Sequence, residues 1–202
     1  MKKRNVLFIS LLGIVAFFVA SQPVKSDDSV PMYRLYNKHS GEHFYTGSAY
    51  ERDSLLTVGW RYEGLGWAAP LKGDPVYRLY NPNTGDHHYT LSGGERDVLV
   101  TVGWKSEGIG WYSSVARQYP LYRVYNPNAR TGSHHYTLSV GERDSLLSTG
   151  WRNESIGWYA ENPRTASERY DGKDPMSGGD VYDGEANSID DWGDMTDIVF
   201  TR

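Results

Sequence analysis

The sequence predicts a β-rich α+β fold: three tandem repeats of about 44 residues, each with short strands and one short helix, closed into a compact pseudo-threefold body of trefoil-like or propeller-like shape. The first observation behind this expectation is recurrence in register. Tyr33-Arg34-Leu35-Tyr36-Asn37 returns as Tyr77-Arg78-Leu79-Tyr80-Asn81 and as Tyr122-Arg123-Val124-Tyr125-Asn126, with starts 44 and 45 residues apart. The second is composition. The 202 residues include 16 tyrosines and 7 tryptophans but no cysteine, so a core must come from aromatic packing, and no disulfide, thiolate metal site or cysteine nucleophile can form within this sequence. The third is size: so small a unit cannot bury its own apolar face, and three closely similar copies favour closure over an open solenoid, whose end copies would need to differ.

Each unit reads in the same order. Its alternating aromatic and aliphatic pentapeptide is a short strand. Asn81-Pro82-Asn83-Thr84-Gly85 in the second copy has turn chemistry, and residues 87–90 (HHYT) return as the partner strand of a hairpin. The counterparts are residues 43–46 (HFYT) and 134–137 (HHYT), the latter preceded by a two-residue insertion around Ala129 and Arg130. Ser48-x-x-Glu51, Ser92-x-x-Glu95 and Ser139-x-x-Glu142 are capping boxes, so a helix follows each hairpin. Gly59, Gly103 and Gly150 are expected just past the helix ends, with Trp60, Trp104 and Trp151 folding back on Leu55, Leu99 and Leu146 as structural tryptophans. The unit ends on a further strand, residues 63–67 (EGLGW), whose glycines allow close backbone approach. The third copy has Ser155 where the others have Gly64 and Gly108, so its last strand is expected to differ.

Outside this body the two ends read differently. Lys2, Lys3 and Arg4 precede an apolar run over residues 5–20, shorter than the roughly 20 residues a bilayer core needs. This predicts a signal peptide over residues 1–26, cleaved near Gln22 or Asp27, and a secreted product without a stable membrane anchor. The three-repeat domain is expected over residues 31–164, divided at about 31–74, 75–119 and 120–164. Residues 165–202 carry ten acids against three bases and read as a flexible acidic tail. With a formal charge of -4 for the whole chain, concentrated in that tail, nothing points to nucleic acid as a partner.

The combination Tyr-Arg-x-Tyr-Asn, His-x-Tyr-Thr, Glu-Arg-Asp, Gly-Trp and Glu-Gly-x-Gly-Trp resembles a tandem repeat of unknown function found in secreted bacterial proteins, often beside lysozyme-like, amidase or peptidase domains. The resemblance covers about residues 32–159. It implies an accessory module at the cell envelope that binds glycan, and it brings no catalytic residue with it.

The repeated residues also bear on function directly. A hydrolytic site needs unlike groups converging once, so triplication argues against an enzyme. Neither a cofactor nor a metal is expected, since no close-spaced ligand pair is present beside His43, His87 and His134. Those histidines read either as half-buried groups bonded to backbone or carboxylate, or as ligand contacts. Strand alternation places Leu35, Leu79 and Val124 toward the core with Tyr33, Tyr77 and Tyr122. The opposite face, with Tyr36, Tyr80 and Tyr125, is then free for ligand, together with His43, Tyr45, His87, Tyr89, His134 and Tyr136. Trp67, Trp111 and Trp158 read either as core residues or as candidate stacking platforms for sugar rings. Glu63, Glu107 and Glu154 could accept sugar hydroxyls, or pair with Arg34, Arg78 and Arg123 inside the fold. Three equivalent weak sites would give avidity for a repetitive extracellular polysaccharide. The alternative is a secreted protein-interaction or effector protein, with the acidic tail as the active element and a protein partner engaged through it.

Overall fold

The computed structural model describes residues 29–161; the expected signal segment (residues 1–26) and acidic tail (residues 165–202) lie outside the described residues. The first unit runs β1 (Ser29–Asn37), β2 (Glu42–Thr46), α1 (Ala49–Thr57) and β3 (Arg61–Pro70). The second comprises β4 (Asp74–Asn81), β5 (Asp86–Thr90), α2 (Gly93–Thr101) and β6 (Lys105–Ser113). The third comprises β7 (Tyr119–Tyr125), β8 (His134–Thr137), α3 (Val140–Ser148) and β9 (Arg152–Ala160). Each unit folds its strands into a three-stranded antiparallel sheet with its first strand in the middle, in the orders β2-β1-β3, β5-β4-β6 and β8-β7-β9. The described residues are therefore β-rich, with three small sheets and three short helices in a threefold arrangement.

Local chemistry sets the helix boundaries. The Ser48, Ser92 and Ser139 hydroxyls accept from the amides of Glu51, Glu95 and Glu142, as a capping box requires. The return half of the box is relayed: in the first two units the serine amide donates to Thr46 or Thr90 Oγ1, whose hydroxyl donates to the Glu51 or Glu95 carboxylate. At the other end Gly59, Gly103 and Gly150 take φ of 93°, 99° and 99°. The Trp60 amide bonds Leu55 O at 3.2 Å and the Gly59 amide bonds Leu56 O at 3.2 Å, the double closure of a Schellman stop, repeated at Trp104 and Trp151.

Each third strand carries a bulge against the central strand, between the pairs Tyr33↔Leu65 and Leu35↔Tyr62 in the first unit. Gly64 and Gly108 occupy left-handed backbone there, at φ 91° and 88°. The third unit does not depart as expected. Ser155 adopts φ 69° and β9 keeps the same register, Tyr122↔Ile156 and Val124↔Asn153, with the Ser155 amide held by Asn153 Oδ1 at 2.8 Å.

The larger core lies on the face expected to be free. Tyr33, Leu35 and Phe44 do form an apolar cluster, but it is the small one under the unit's own helix, joined by Leu55, Leu56 and Trp60. The opposite faces of the three sheets turn toward each other and bury Met32, Val76 and Leu121, Tyr45, Tyr89 and Tyr136, and Trp67, Trp111 and Trp158 in one cluster. The sister sheets cover the inner ends of the strands, while the first halves of β6 and β9 stay exposed.

Two aromatic rings of residues close this centre. The three indoles stand 5.3 to 5.5 Å apart, centroid to centroid, and each packs on the tyrosine of its own unit at 4.7 to 5.1 Å. The tyrosines then join the units through backbone. Tyr45 Oη donates to Tyr136 O at 3.0 Å and accepts from Tyr136 N at 3.3 Å. Tyr136 Oη treats Tyr89 the same way, at 3.0 and 3.3 Å, and Tyr89 Oη treats Tyr45, at 3.5 and 3.2 Å. One hydroxyl thus satisfies both buried backbone groups that the neighbouring edge strand would otherwise leave open, and the circuit returns to the first unit.

Candidate functional site

Beside the aromatic centre runs a ring of charge, buried around Arg34 and half-exposed around Arg78 and Arg123. Arg34 pairs with Glu63 of its own sheet (3.2 Å) and with Glu142 of the third unit's helix (3.1 Å). Arg78 pairs with Glu107 (2.8 Å) and with Glu51 of the first helix (2.9 Å). Arg123 pairs with Glu154 (2.6 Å) and, through two nitrogens, with Glu95 of the second helix. Glu63, Glu107 and Glu154 are therefore structural partners of the arginines. The capping glutamates, freed by the threonine relay, serve as links between units. Such pairs contribute little net stability against an apolar substitute, but breaking one strands a buried charge.

The histidines sit at the next position outward along each strand. His43, His87 and His134 each pack on the tyrosine across the hairpin, Tyr36, Tyr80 and Tyr125, at 4.9, 5.0 and 5.1 Å. Each also meets an aromatic of a neighbouring unit: His135, Phe44 and His88 respectively, at 4.5 to 4.7 Å. Burial lowers His43 to about 4, and the adjacent His135 adds to the shift. Burial likewise lowers His134 to about 3, followed by the charges of His88 and Arg123. Burial by itself would raise Glu63, but the hydrogen bond with His43 and the charges of His43 and Arg34 outweigh it and hold the carboxylate at about 2. Burial opposes Glu142 too, yet His135 and Arg34 keep it ionised well below the usual carboxylate range. At neutral pH His43 and His134 are neutral imidazoles, while Glu63 and Glu142 are ionised and already claimed by arginine.

This geometry corrects the expected ligand set. Tyr45, Tyr89, Tyr136, Trp67 and Trp158 are 0–1% exposed and Trp111 is 5% exposed, so no sugar ring can stack on them. Glu63, Glu107 and Glu154 face arginine, and His87 and His134 are held by carboxylates, Glu42 (2.6 Å) and Glu154 (3.2 Å). Tyr36, Tyr80 and Tyr125 remain half-buried.

Of the expected residues, Tyr36 and His43 are brought together in a cleft of about 520 Å³ between the first and third units. One wall is the first unit's hairpin, with residues 39–41. The other is the third unit: His135 and Glu142, Ser145 and Leu146 of α3, Trp151, and the turn over residues 129–132 with Asn126. The inserted Ala129 and Arg130 thus lie in this wall, a role that the repeat comparison did not assign to them. The turn is held at its base. Thr131 Oγ1 donates to Thr84 O (2.9 Å), the Gly132 amide donates to Asp86 (2.9 Å), and Gly132 approaches the first unit so closely that a Cβ there would lie 2.4 Å from Gly41 O.

A second sequence difference falls at the same interface. Glu42 of the first unit accepts from both the backbone and Nδ1 of His87 in the second, and Asp86 of the second accepts from the Gly132 amide and the Ser133 hydroxyl in the third. The third unit's residue at this position is Ser133, too short to reach onward, and its hydroxyl is spent on Asp86. Two interfaces are thus bridged by a carboxylate at this hairpin position, and the cleft lies at the third, whose ionic link is the Arg34–Glu142 pair.

With this geometry in view, the sequence matches one family, described as a domain of unknown function (DUF5648), over residues 31–161. The chain belongs to the DUF5648 family. Compared with curated proteins and with solved structures, it finds no match. The matched span begins in β1 and ends just after β9, so the family unit comprises all three sheets, the charge ring and the cleft.

Proposed function

We propose that this chain is a secreted, non-catalytic binding module for carbohydrate of the cell envelope or another extracellular source, and that it holds its ligand in the cleft between the first and third units. The cleft carries this reading. Its volume of about 520 Å³ suits one or two sugar rings. Half-buried Tyr36 and Trp151 offer aromatic surface beside the polar groups of Asn126, Ser145 and His43, the mixture that sugar faces and hydroxyls need. A binding rather than a catalytic role is favoured because the acid–base groups nearby are committed. Glu142 is paired with Arg34 and His135, and His135 Nδ1 lies 3.3 Å from the Tyr45 hydroxyl. The secretory part of the proposal rests on the N-terminal sequence, and the envelope setting on the repeat resemblance. A single cleft replaces the three equivalent aromatic surfaces, whose rings are interior.

The test is a glycan array and a pulldown on isolated cell walls, run with wild type and with Ser145→Trp. Ser145 is an exposed helix position on the cleft wall, so the indole fills the cleft without disturbing the core. Binding by wild type, lost in Ser145→Trp at unchanged thermal stability, is the expected result. A wild-type chain that retains no polysaccharide at all refutes the proposal.

A further inference from the structure

We infer that the cleft selects acidic saccharides, with the sugar carboxylate received by Arg130 and the His43 side of the first-unit turn. This rests on the carbohydrate reading above and names its ligand class. Two independent observations lead to it.

The first is charge. Glu142, the carboxylate in the cleft wall, is neutralised by Arg34 through contacts of 3.1 Å to both oxygens and by His135 at 3.2 Å. Glu42, next to the wall, is committed to His87, and Glu63 to Arg34 and His43. Arg130, by contrast, is exposed, lies in the wall, and forms no ion pair among the described residues. Glu63 shares Arg34 with Glu142 but also has Arg61 at 2.6 Å, so two guanidinium groups meet these two carboxylates and Arg130 is left without a counter-ion among the described residues. It comes from the two-residue insertion that distinguishes this turn from its counterparts at residues 38–41 and 82–85, on a turn whose base is fixed by Asp86, Thr84 and the Gly132–Gly41 approach.

The second is the pattern among the three interfaces. A carboxylate one residue before the histidine strand, Glu42 or Asp86, bonds the neighbouring hairpin at two of them. At the third the residue is Ser133, and His43, the counterpart of His87, receives no carboxylate on Nδ1 among the described residues. A ligand carboxylate there would take the place that Glu42 takes beside His87, and as a second anion next to the ring it would favour the imidazolium, which donates from Nδ1 as well as to Glu63. Guanidinium and carboxylate form a charge-assisted pair, stronger than the hydroxyl contacts a neutral sugar offers.

The experiment uses the full chain and oligosaccharides containing glucuronic, galacturonic, muramic or neuraminic acid, each compared with its own methyl ester, by calorimetry or array. At least one free acid is expected to bind about tenfold more tightly than its ester, with the preference shrinking as salt rises. Arg130→Gln is expected to abolish the preference for that acid over its ester. Deleting Ala129 and Arg130, which restores the turn length of the other copies, should do the same. Esters and acids binding equally, or Arg130→Gln leaving the preference intact, overturns the inference while the carbohydrate reading stands. Binding of neither form overturns both. Thermal melts of both variants confirm that exposed Arg130 can be altered without unfolding the chain.

Discussion

Removal of a single hydroxyl tests how the body is closed. Tyr45→Phe keeps the ring packed against Trp67 but deletes the group that donates to Tyr136 O and accepts from Tyr136 N. Both backbone atoms lie on the inner edge of β8, away from water, and phenylalanine offers them nothing. Leaving a buried donor or acceptor without a partner costs about 1–3 kcal/mol each, so the pair predicts a loss of about 2–6 kcal/mol. His135 Nδ1, 3.3 Å from the same hydroxyl, loses its partner as well. For a domain of this size, such a loss lowers the melting temperature by about 10 °C. Tyr136→Phe should match it, since Tyr136 Oη makes the same backbone contacts and meets His88 Nδ1 at 3.4 Å. Tyr89→Phe should cost less, because the bond its hydroxyl donates to Tyr45 O is longer, 3.5 Å against 3.0 Å, and the first unit has Phe44 where the others have histidine. Calorimetric melts at neutral pH measure all three. Losses below about 0.5 kcal/mol throughout would refute the reasoning, since the edge strands would then not depend on the neighbouring tyrosine.

Three further outcomes follow from the charge ring and the bulges. Arg34→Met leaves Glu63 and Glu142 buried without their guanidinium and should cost about 3–5 kcal/mol in denaturant melts, whereas a loss near zero would mean that water reaches the ring. Acid should destabilise the chain in two stages. His43 and His134, held at about 4 and about 3 in the fold against 6.5 in the unfolded chain, take up protons on unfolding, so stability falls as pH drops from about 6.5, by about 3 kcal/mol for His43 once pH reaches 4. Glu63, held at about 2, contributes stability that is whole above 4.5 and is lost as pH falls toward 2; a melting temperature flat from pH 7 to 4 would contradict the histidine part. Ser155→Gly should raise stability by about 0.5–1 kcal/mol by relieving left-handed backbone, and Gly64→Ala should lower it by about 1–2 kcal/mol, both readable by thermal melts.

Much of the secondary structure was legible because it depends on groups only a few residues apart. The serine caps, the glycine stops with their folded-back tryptophans, and the hairpins all occur where short-range chemistry places them. The one local expectation that failed concerned Ser155, where an Asn153 side chain supports a conformation that glycine adopts freely elsewhere. The site was less legible. Alternation identifies two faces of a strand but not which is more deeply covered, so the face with Tyr45 reads as open to ligand when it is the centre of the molecule. The signals that point to the cleft, the insertion at Ala129 and Arg130 and Ser133 in place of an acid, were visible as departures between copies. Repetition draws attention to what recurs, whereas this cleft arises where the copies differ.

Chain chemistry alone was enough for the three-unit plan, the order of strand, turn, strand, helix and strand within each unit, and the helix ends, because every group involved lies within about one helical turn of its partner. Which faces became interior, how the tyrosine hydroxyls and arginines link one unit to the next, and where a cleft remains were decided by contacts between residues 27 to 108 positions apart. Those depend on how three sheets meet around a common centre, and the pattern within a single unit carries no record of that meeting.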